Sequence, residues 1–263
     1  MEEIINIDFH AHILPGADHG CDNENMCLKQ LELAKKYKID MIVATPHFYP
    51  NIDTVKSFLN RRSIAYEKLK KVYTPALPQV LLGAEVLVCN NMDKMDDLDR
   101  LCIEGTDTIL VEMPLEKHWD KRLIETVINI KQVRRLNVVL AHIDRYNPTE
   151  VKKLTDMGIA VQINAIALFK LKTKAKCKYY FENCEVVALG SDIHKLSDSY
   201  KYLYKAIKKQ EKNESFIMKK TNAIIAKKYK IGDLYVQSKC YCAGIQYKKI
   251  FKRMFKVFRK ADY

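Results

Sequence analysis

The sequence predicts an α/β fold in which short parallel strands and longer helices alternate around a barrel. Two observations support this prediction. Short apolar runs alternate with stretches whose apolar residues recur every three or four positions, the pattern of βα units around a parallel sheet. The 8 glycines and 7 prolines are too thinly spread over the 263 residues to mark a linker. One barrel domain of about 250 residues therefore fits the length.

The elements follow one another in a regular order. Seven strands are predicted, several as continuous apolar runs expected where both faces of a sheet are covered, at residues 4–9, 39–44, 80–88, 108–112, 138–141, 159–163 and 186–189. Six helices are predicted between and after them, at residues 23–38, 54–71, 121–135, 148–157, 197–209 and 214–228. Pro148 suits the first turn of its helix because a proline there gives up no helical hydrogen bond.

The carboxyl-terminal segment has a different pattern. Residues 247–260, YKKIFKRMFKVFRK, place aromatic and aliphatic side chains on one helical face and seven lysines and arginines on the other. This pattern is typical of a basic amphipathic helix lying on an anionic membrane surface. A helix packed on the domain with a solvated basic face is the alternative. We expect a catalytic domain over residues 1–239 and a basic extension over residues 240–263.

Charge and cysteine content narrow the class of protein. Lysine plus arginine (45) exceeds aspartate plus glutamate (32), which favours acidic partners such as phosphorylated protein, anionic lipid or nucleic acid. The acidic start and the lack of any apolar run near ~18 residues favour a cytoplasmic protein. The 8 cysteines lack CxxC spacing and are expected to be reduced thiols.

Histidines cluster at predicted strand ends. Six of the 7 histidines lie in four short segments, and each segment directly follows a predicted strand. His10 and His12 alternate along an extended chain, so both imidazoles point to the same side. The carboxyl ends of parallel strands converge on one face of a barrel, so ligands distant in sequence can meet there.

Carboxylates accompany these histidines within or directly after other predicted strands. The candidate metal ligands are His10, His12, His19, His47, Glu85, Glu112, His142, Asp192 and His194. A mixture of imidazole and carboxylate suits Mn²⁺, Zn²⁺ or Fe²⁺ better than Mg²⁺ or Ca²⁺. Because these candidates exceed the needs of one ion, the sequence predicts two or three divalent cations, with Glu85 as the natural bridging ligand.

Six motifs in order resemble the polymerase and histidinol phosphatase (PHP) superfamily. They are DFHAHILPGADHG, ATPHF, GAEV, VEMP, AHIDRY and GSDIH. Within it, they are most similar to the bacterial metal-dependent protein-tyrosine phosphatases of capsular and extracellular polysaccharide synthesis, the CpsB, CapC and YwqE group. Order and spacing match from residue 4 to about 230. The resemblance implies the PHP fold, a distorted seven-stranded (β/α) barrel with a trinuclear metal site.

Carried over by residue, the resemblance implies specific roles. It groups His10, His12, Glu85 and Asp192 around a first ion, bridges Glu85 towards Glu112 and His142, and places His47 and His194 at a third ion. In the family two adjacent acids usually precede the glycine of the first motif, whereas here Asp18 is followed by His19. Because imidazole also binds metals, this departure bears on metal preference.

A second departure concerns phosphate binding. The family commonly carries an arginine a few residues after the aspartate-x-histidine motif, but residues 195–199 contain none. Lys195 or Lys201 could substitute, although a lysine lacks the planar fork that grips two phosphate oxygens. Arg145, in the histidine-x-acid-arginine motif, is the candidate catalytic residue that contacts phosphate.

The resemblance implies hydrolysis of phosphotyrosine on the tail of a membrane-associated tyrosine kinase that regulates capsule or exopolysaccharide synthesis. No cysteine begins a Cys-x5-Arg phosphate loop, so a metal-activated water is the expected nucleophile. Manganese is the expected metal, with zinc and iron as alternatives. Residues 247–260 would hold the enzyme at the inner face of the membrane. Phe48, Tyr49 and Trp119 could line a cleft for the phenyl ring.

Other functions stay open on the sequence alone. Histidinol phosphate is an alternative substrate within the same superfamily, and a metal-binding scaffold with weakened catalysis is a non-enzymatic alternative. Nucleic-acid processing is disfavoured because no DNA- or RNA-reading module is recognisable. The sequence also leaves open association of the chain into a homo-oligomer.

Overall fold

The computed structural model describes residues 4–211 and 217–226, which form a mixed α/β fold with parallel strands. The strands are β1 (Ile7–Ala11), β2 (Met41–Ala44), β3 (His47–Phe48), β4 (Gln79–Leu82), β5 (Glu85–Leu87), β6 (Thr108–Glu112), β7 (Asn137–Leu140), β8 (Ala160–Asn164) and β9 (Val186–Gly190). The α-helices are α1 (Glu24–Lys36), α2 (Val55–Val72), α3 (Lys121–Gln132), α4 (Pro148–Thr155), α5 (Leu171–Asn183), α6 (Ser199–Gln210) and α7 (Ile217–Ala226).

The strands form two parallel sheets. One has the order β1-β2-β4, and the other has the order β3-β5-β6-β7-β8-β9. The predicted strand 80–88 is interrupted at Gly83 and Ala84, which separate β4 from β5, and an unpredicted short strand, β3, follows β2 after Thr45 and Pro46. Backbone hydrogen bonds continue across the interruptions, from Gly83 N to Ala44 O at 2.8 Å and from Glu85 N to Pro46 O at 3.1 Å. The interruptions therefore carry His47 and Glu85 into the second sheet.

The first strand also contacts the last one. The backbone N–H of Asp192 donates to His10 O at 2.8 Å, and that of His12 donates to Ile193 O at 3.0 Å. Ala11 and Ile193 form an isolated parallel bridge. An edge of the three-stranded sheet therefore lies beside an edge of the six-stranded sheet, just beyond the carboxyl end of β9.

The core is formed by strands that are covered on both faces. All residues of β1, β6, β8 and β9 are buried, as expected for parallel strands enclosed by helices. Local signals place the helices: Asn23 caps α1, Thr54 and Ser57 form a capping box on α2, and Pro148 begins α4. Side-chain caps satisfy backbone N–H groups that a helix leaves without a partner.

Besides shifts of a few residues at most element ends, two differences from the prediction matter for the fold. The first strand lies at Ile7–Ala11 instead of 4–9, so His10 belongs to the strand itself. The helix α5 was not predicted, because it buries only Cys177 and Tyr180 and shows little apolar periodicity.

The end of the chain is described only in part. The helix α7 lies inside the predicted range 214–228. The predicted amphipathic helix at 247–260 and the extension 240–263 lie outside the described residues. Among the helices of residues 4–211 and 217–226, none combines the length and apolarity needed to cross a membrane.

Candidate metal centre

Histidines from several strands meet at the carboxyl ends of the sheets. His10 belongs to β1, His12 follows it, and His47 begins β3. The ring centroids of His12 and His47 are 4.5 Å apart, and those of His12 and His194, from the segment after β9, are 3.9 Å apart. His142, after β7, approaches His10 with a centroid distance of 5.6 Å. The fold thus brings five predicted ligands together from four segments of the chain.

Glu85 lies at the centre of this cluster. Its Oε2 atom is 3.1 Å from Nε2 of His10, 3.2 Å from Nε2 of His12 and 3.1 Å from Nδ1 of His47. Its Oε1 atom is 2.7 Å from Nε2 of His142. Since one carboxylate faces four imidazoles with two oxygens, it has the geometry of a ligand shared between neighbouring ions.

Three groups of side chains could each hold a cation. In each group the potential ligand atoms lie within 4.8 Å of one another, and the groups are His12–His47–His194, His10–His12–Asp192 and His47–Glu85–Glu112. His12 and His47 each occur in two groups, so the groups are adjacent. Glu112 also approaches His142, with 3.4 Å between Oε1 and Nε2.

Unsatisfied buried atoms show that the residues fit divalent cations. Glu85 Oε2, Asp192 Oδ1 and His47 Nδ1 are buried without a hydrogen-bond partner. Only 3.1 Å separates His47 Nδ1 from Glu85 Oε2, yet the two atoms form no hydrogen bond. Leaving such atoms unsatisfied costs about 1–3 kcal/mol each, and more when they are charged. A cation between them would satisfy all three, and this nitrogen and oxygen donor set suits Mn²⁺, Zn²⁺ or Fe²⁺.

Two polar side chains orient the ligand imidazoles. Gln162 Oε1 lies 3.3 Å from Nδ1 of His10 and accepts the backbone N–H of His142 at 2.7 Å. Asp18 Oδ2 lies 2.7 Å from Nδ1 of His12 and accepts the backbone N–H of His47 at 3.0 Å. With a cation bound, a proton on each Nδ1 would leave the Nε2 lone pairs of His10 and His12 free to bind it.

Neither orienting residue was a predicted ligand, and each had a signal in the sequence. Gln162 is fully buried, and it is a polar residue within the apolar strand β8. Asp18 lies in the first motif, directly before His19. A buried amide or carboxylate requires a partner, but only the fold reveals which imidazole it faces.

Two glycines permit close approach around the histidines. A Cβ atom at Gly190 would lie 2.7 Å from the Cβ atom of His10 and 2.6 Å from Gln162 Nε2. A Cβ atom at Gly20 would lie 2.4 Å from the Cβ atom of His12. All three distances are too short for atoms in contact, so any larger residue would displace a candidate ligand histidine or Gln162.

The cluster perturbs its own histidines in opposite directions. Burial lowers the pKa of His12, but its close contacts with the carboxylates of Asp18 and Glu85 outweigh burial and raise the pKa to about 10. Burial also lowers the pKa of His142, and hydrogen bonds to Glu112 and Glu85 raise it to about 9. Burial lowers the pKa of His47 to about 3. Protons on the first two rings therefore compete with cations for the same nitrogen atoms.

Arg145 lies at the edge of the cluster. Its Nη2 group forms an ion pair with Oδ2 of Asp192, which also accepts the side-chain N–H of Asn164 at 2.9 Å. The other oxygen of Asp192 lies 3.7 Å from Nε2 of His10 and 3.6 Å from Nε2 of His12. The Arg145 side chain is 39% exposed, so it can contact a ligand from solvent.

His19 is the predicted ligand that stands apart. Its exposed ring stacks on that of His47, with a centroid distance of 4.8 Å and an angle of 12°. Like His142, His19 belongs to none of the three groups found among the described residues, but it is exposed whereas His142 is buried. Of the aromatic residues considered for a phenyl cleft, Phe48 and Trp119 are buried in the core, whereas half-buried Tyr49 stacks on His47 at 5.1 Å.

Comparison with known proteins identifies the family. The model of a family described as capsular polysaccharide synthesis, CpsB/CapC, matches residues 6–228. The chain belongs to the CpsB/CapC family. The matched range contains every residue of the three ligand groups as well as Arg145. Residues 229–263 lie beyond it.

A solved structure supports the fold of this CpsB/CapC chain. It comes from work on YwqE from Bacillus subtilis and CpsB from Streptococcus pneumoniae, described as unique metal-dependent tyrosine phosphatases. Its TM-score is 0.63 at 24% identity, and the match covers 81% of this chain and 90% of that chain.

More distant structures match weakly. A dihydropyrimidinase from Brevibacillus agri has a TM-score of 0.42 at 11% identity, covering 73% of this chain and 58% of its own. Arabidopsis ADAL complexed with GMP has a TM-score of 0.48 at 10% identity, covering 98% and 97%. No curated protein matches the chain.

Proposed function

We propose that this CpsB/CapC protein is a metal-dependent protein-tyrosine phosphatase, that is, a phosphoric monoester hydrolase without a cysteine nucleophile. The observation that carries the proposal is the position of Glu85, whose unsatisfied Oε2 atom faces three imidazole nitrogens at 3.1–3.2 Å. Such a cluster beside an exposed arginine suits attack on a phosphate ester. The solved relative with the same fold is described as a metal-dependent tyrosine phosphatase.

Two or three divalent cations would be held by the three ligand groups, with Glu85 between them. Manganese is the proposed metal, and zinc or iron would fit the same donors. When bound, the cations supply a water that is nucleophilic at neutral pH and neutralise charge on the phosphoryl oxygens. His142 would contribute through its contacts with Glu85 and Glu112. His19, whose ring lies 4.7 Å from that of His194, would be a further ligand at the exposed edge of the cluster.

The side chains of the protein would bind and orient the substrate. Arg145 binds the transferring phosphoryl group, and its ion pair with Asp192 positions the guanidinium beside the cluster. Water attacks phosphorus, the bond between phosphorus and the tyrosine oxygen breaks, and the phenolate leaves and takes a proton from solvent. Six cysteines lie in the described residues, all as free thiols, and none belongs to a ligand group.

The contact between β1 and β9 supports closure of the strands into a barrel. Counting β2 with β3 and β4 with β5 as interrupted strands leaves seven in the order of the chain. Hydrogen bonds of His10 and His12 with the segment after β9 join the first to the last. A distorted seven-stranded barrel would place all carboxyl ends at one mouth.

The proposed substrate is the phosphotyrosine-containing tail of a membrane-associated tyrosine kinase, in keeping with a family of capsular polysaccharide synthesis. The catalytic domain would span residues 1–239 and act in the cytoplasm. Residues 247–260 would hold the protein to the inner face of the membrane through their basic face.

The test is metal-dependent release of phosphate from a phosphotyrosyl peptide. We expect Mn²⁺ to activate the wild-type protein and His10→Ala to abolish activity. His118→Ala is the matched control, because His118 is 68% exposed and contacts Glu150 instead of the cluster. Bound metal without hydrolysis of any phosphate ester would favour the scaffold, and faster turnover of histidinol phosphate would favour that substrate.

A further inference from the structure

A cavity of about 840 Å³ opens beside the proposed phosphate-binding residues. Arg145 and Asp192 form part of its wall, together with Lys117 from the loop after β6 and Lys170 from the segment before α5. A volume of this size accommodates a ligand much larger than a phosphate group. The cavity therefore has room for the chain on either side of a phosphorylated residue.

The wall of the cavity carries uncompensated positive charge. Among the described residues, neither Lys117 nor Lys170 forms an ion pair, and both are exposed. Asp192 is paired with Arg145, and the buried Asp144 accepts the backbone N–H of Asn164 at 3.0 Å. Glu116 is the remaining acidic residue of the wall. The two lysines thus outnumber the one exposed carboxylate that is free to face a ligand.

An apolar surface lies beside these charges. Leu115 is 68% exposed and lines the cavity together with the half-buried Ile166. A large exposed leucine next to lysines suits a peptide segment that carries both apolar and acidic side chains. An isolated small phosphate ester would leave this wall unused.

We propose that the cavity binds acidic residues flanking the phosphorylated residue of a peptide, and that the ammonium groups of Lys117 and Lys170 select them. This inference rests on the proposed phosphatase function. The enzyme would then prefer an acidic phosphopeptide over a neutral one, because contacts of the two lysines with acidic side chains add to the contact of Arg145 with the phosphate.

The test compares two phosphotyrosyl peptides of equal length, one with glutamates and one with glutamines on both sides of the phosphotyrosine. For the wild-type protein with Mn²⁺, we expect kcat/KM to be about tenfold higher for the glutamate peptide, chiefly through KM. In Lys117→Gln/Lys170→Gln this ratio should fall close to one, because two exposed pairs at about 0.7 kcal/mol each together account for the tenfold preference. Lys172→Gln/Lys174→Gln, which changes the same charge on the neighbouring helix outside this cavity, should keep the wild-type ratio.

The outcomes separate the two proposals. Hydrolysis of both peptides with the same ratio in the wild-type and Lys117→Gln/Lys170→Gln proteins overturns the acidic subsite alone. An equal fall in the control variant would show a general effect of net charge and also overturns it. If the wild-type protein hydrolyses neither peptide, the phosphatase function fails and the subsite fails with it.

Discussion

Gln162 and His10 are joined by a buried contact, with 3.3 Å between Oε1 and Nδ1, on the side of the ring opposite Glu85. The same oxygen accepts the backbone N–H of His142 at 2.7 Å. One amide oxygen therefore fixes the orientation of one histidine and the position of another.

Replacement of Gln162 tests this role. We expect Gln162→Met to weaken Mn²⁺ binding by about 10- to 100-fold, the usual effect of losing a residue that orients a metal ligand. Gln162→Glu keeps an acceptor at the same atom and should retain more affinity. Isothermal titration calorimetry would measure the Mn²⁺ affinity of both variants. Equal affinities of Gln162→Met and the wild-type protein would contradict the orienting role of Gln162.

Metal binding should release protons. In the metal-free protein the pKa of His12 is raised to about 10 and that of His142 to about 9, so both rings carry a proton near pH 7.5. Cations require neutral imidazoles, so binding must displace these protons. The number released should fall as pH rises from about 8 to 10.

Calorimetry in buffers with different ionisation enthalpies would count the protons. Asp18→Asn provides the comparison, because removal of this carboxylate lowers the pKa of His12 and reduces proton release at pH 7.5. Metal binding without proton release in the wild-type protein would show that the two rings are already neutral.

Arg61 links the loop after β1 to the strand β3, which carries His47. Its guanidinium pairs with Asp53 at 2.7 Å and donates to the carbonyl oxygens of Ala17 at 2.8 Å and His47 at 3.1 Å. Arg61→Met should lower the free energy of unfolding by about 1–3 kcal/mol. Arg61→Lys should restore little of this stability, because lysine lacks the planar guanidinium that donates to several acceptors at once. Arg122→Met, on an exposed position of α3, is the control for chemical denaturation.

Arg145 should affect turnover more than metal content. We expect Arg145→Met to lower kcat/KM for a phosphotyrosyl peptide about 100-fold or more, since one charge-stabilising donor is lost. Asn164 still holds Oδ2 of Asp192, so the bound metal measured by elemental analysis should be unchanged. A parallel loss of metal and activity would show that Arg145 acts by supporting Asp192.

The carboxyl-terminal segment can be tested separately from catalysis. Deletion of residues 247–263 should abolish sedimentation with anionic liposomes because it removes the cationic amphipathic segment. Hydrolysis of p-nitrophenyl phosphate should be unchanged, since the ligand groups end at His194. Sedimentation equal to that of the full chain would reject the lipid role.

The sequence predicted the alternation of strands and helices because apolar periodicity is a local property. Every described strand except the two-residue β3 lies within or overlaps a predicted strand. The helix α5 was missed because its lysine-rich sequence buries only two side chains; contacts with distant residues, such as the 3.1 Å hydrogen bond from Lys176 Nζ to Tyr146 O, position it. The candidate ligands could also be predicted from local sequence, since they lie within or directly after apolar runs.

The sequence by itself determined which side chains with metal-binding chemistry lie on the strands or directly after them. The tertiary structure alone decided that Glu85 faces four imidazoles, that Gln162 and Asp18 set the free nitrogen atoms of His10 and His12, and that His19 stays at the rim. The physical reason is that hydrophobic patterning fixes where a chain turns, whereas a ligand set depends on distances between atoms from separate strands. Those distances exist only after the strands have packed.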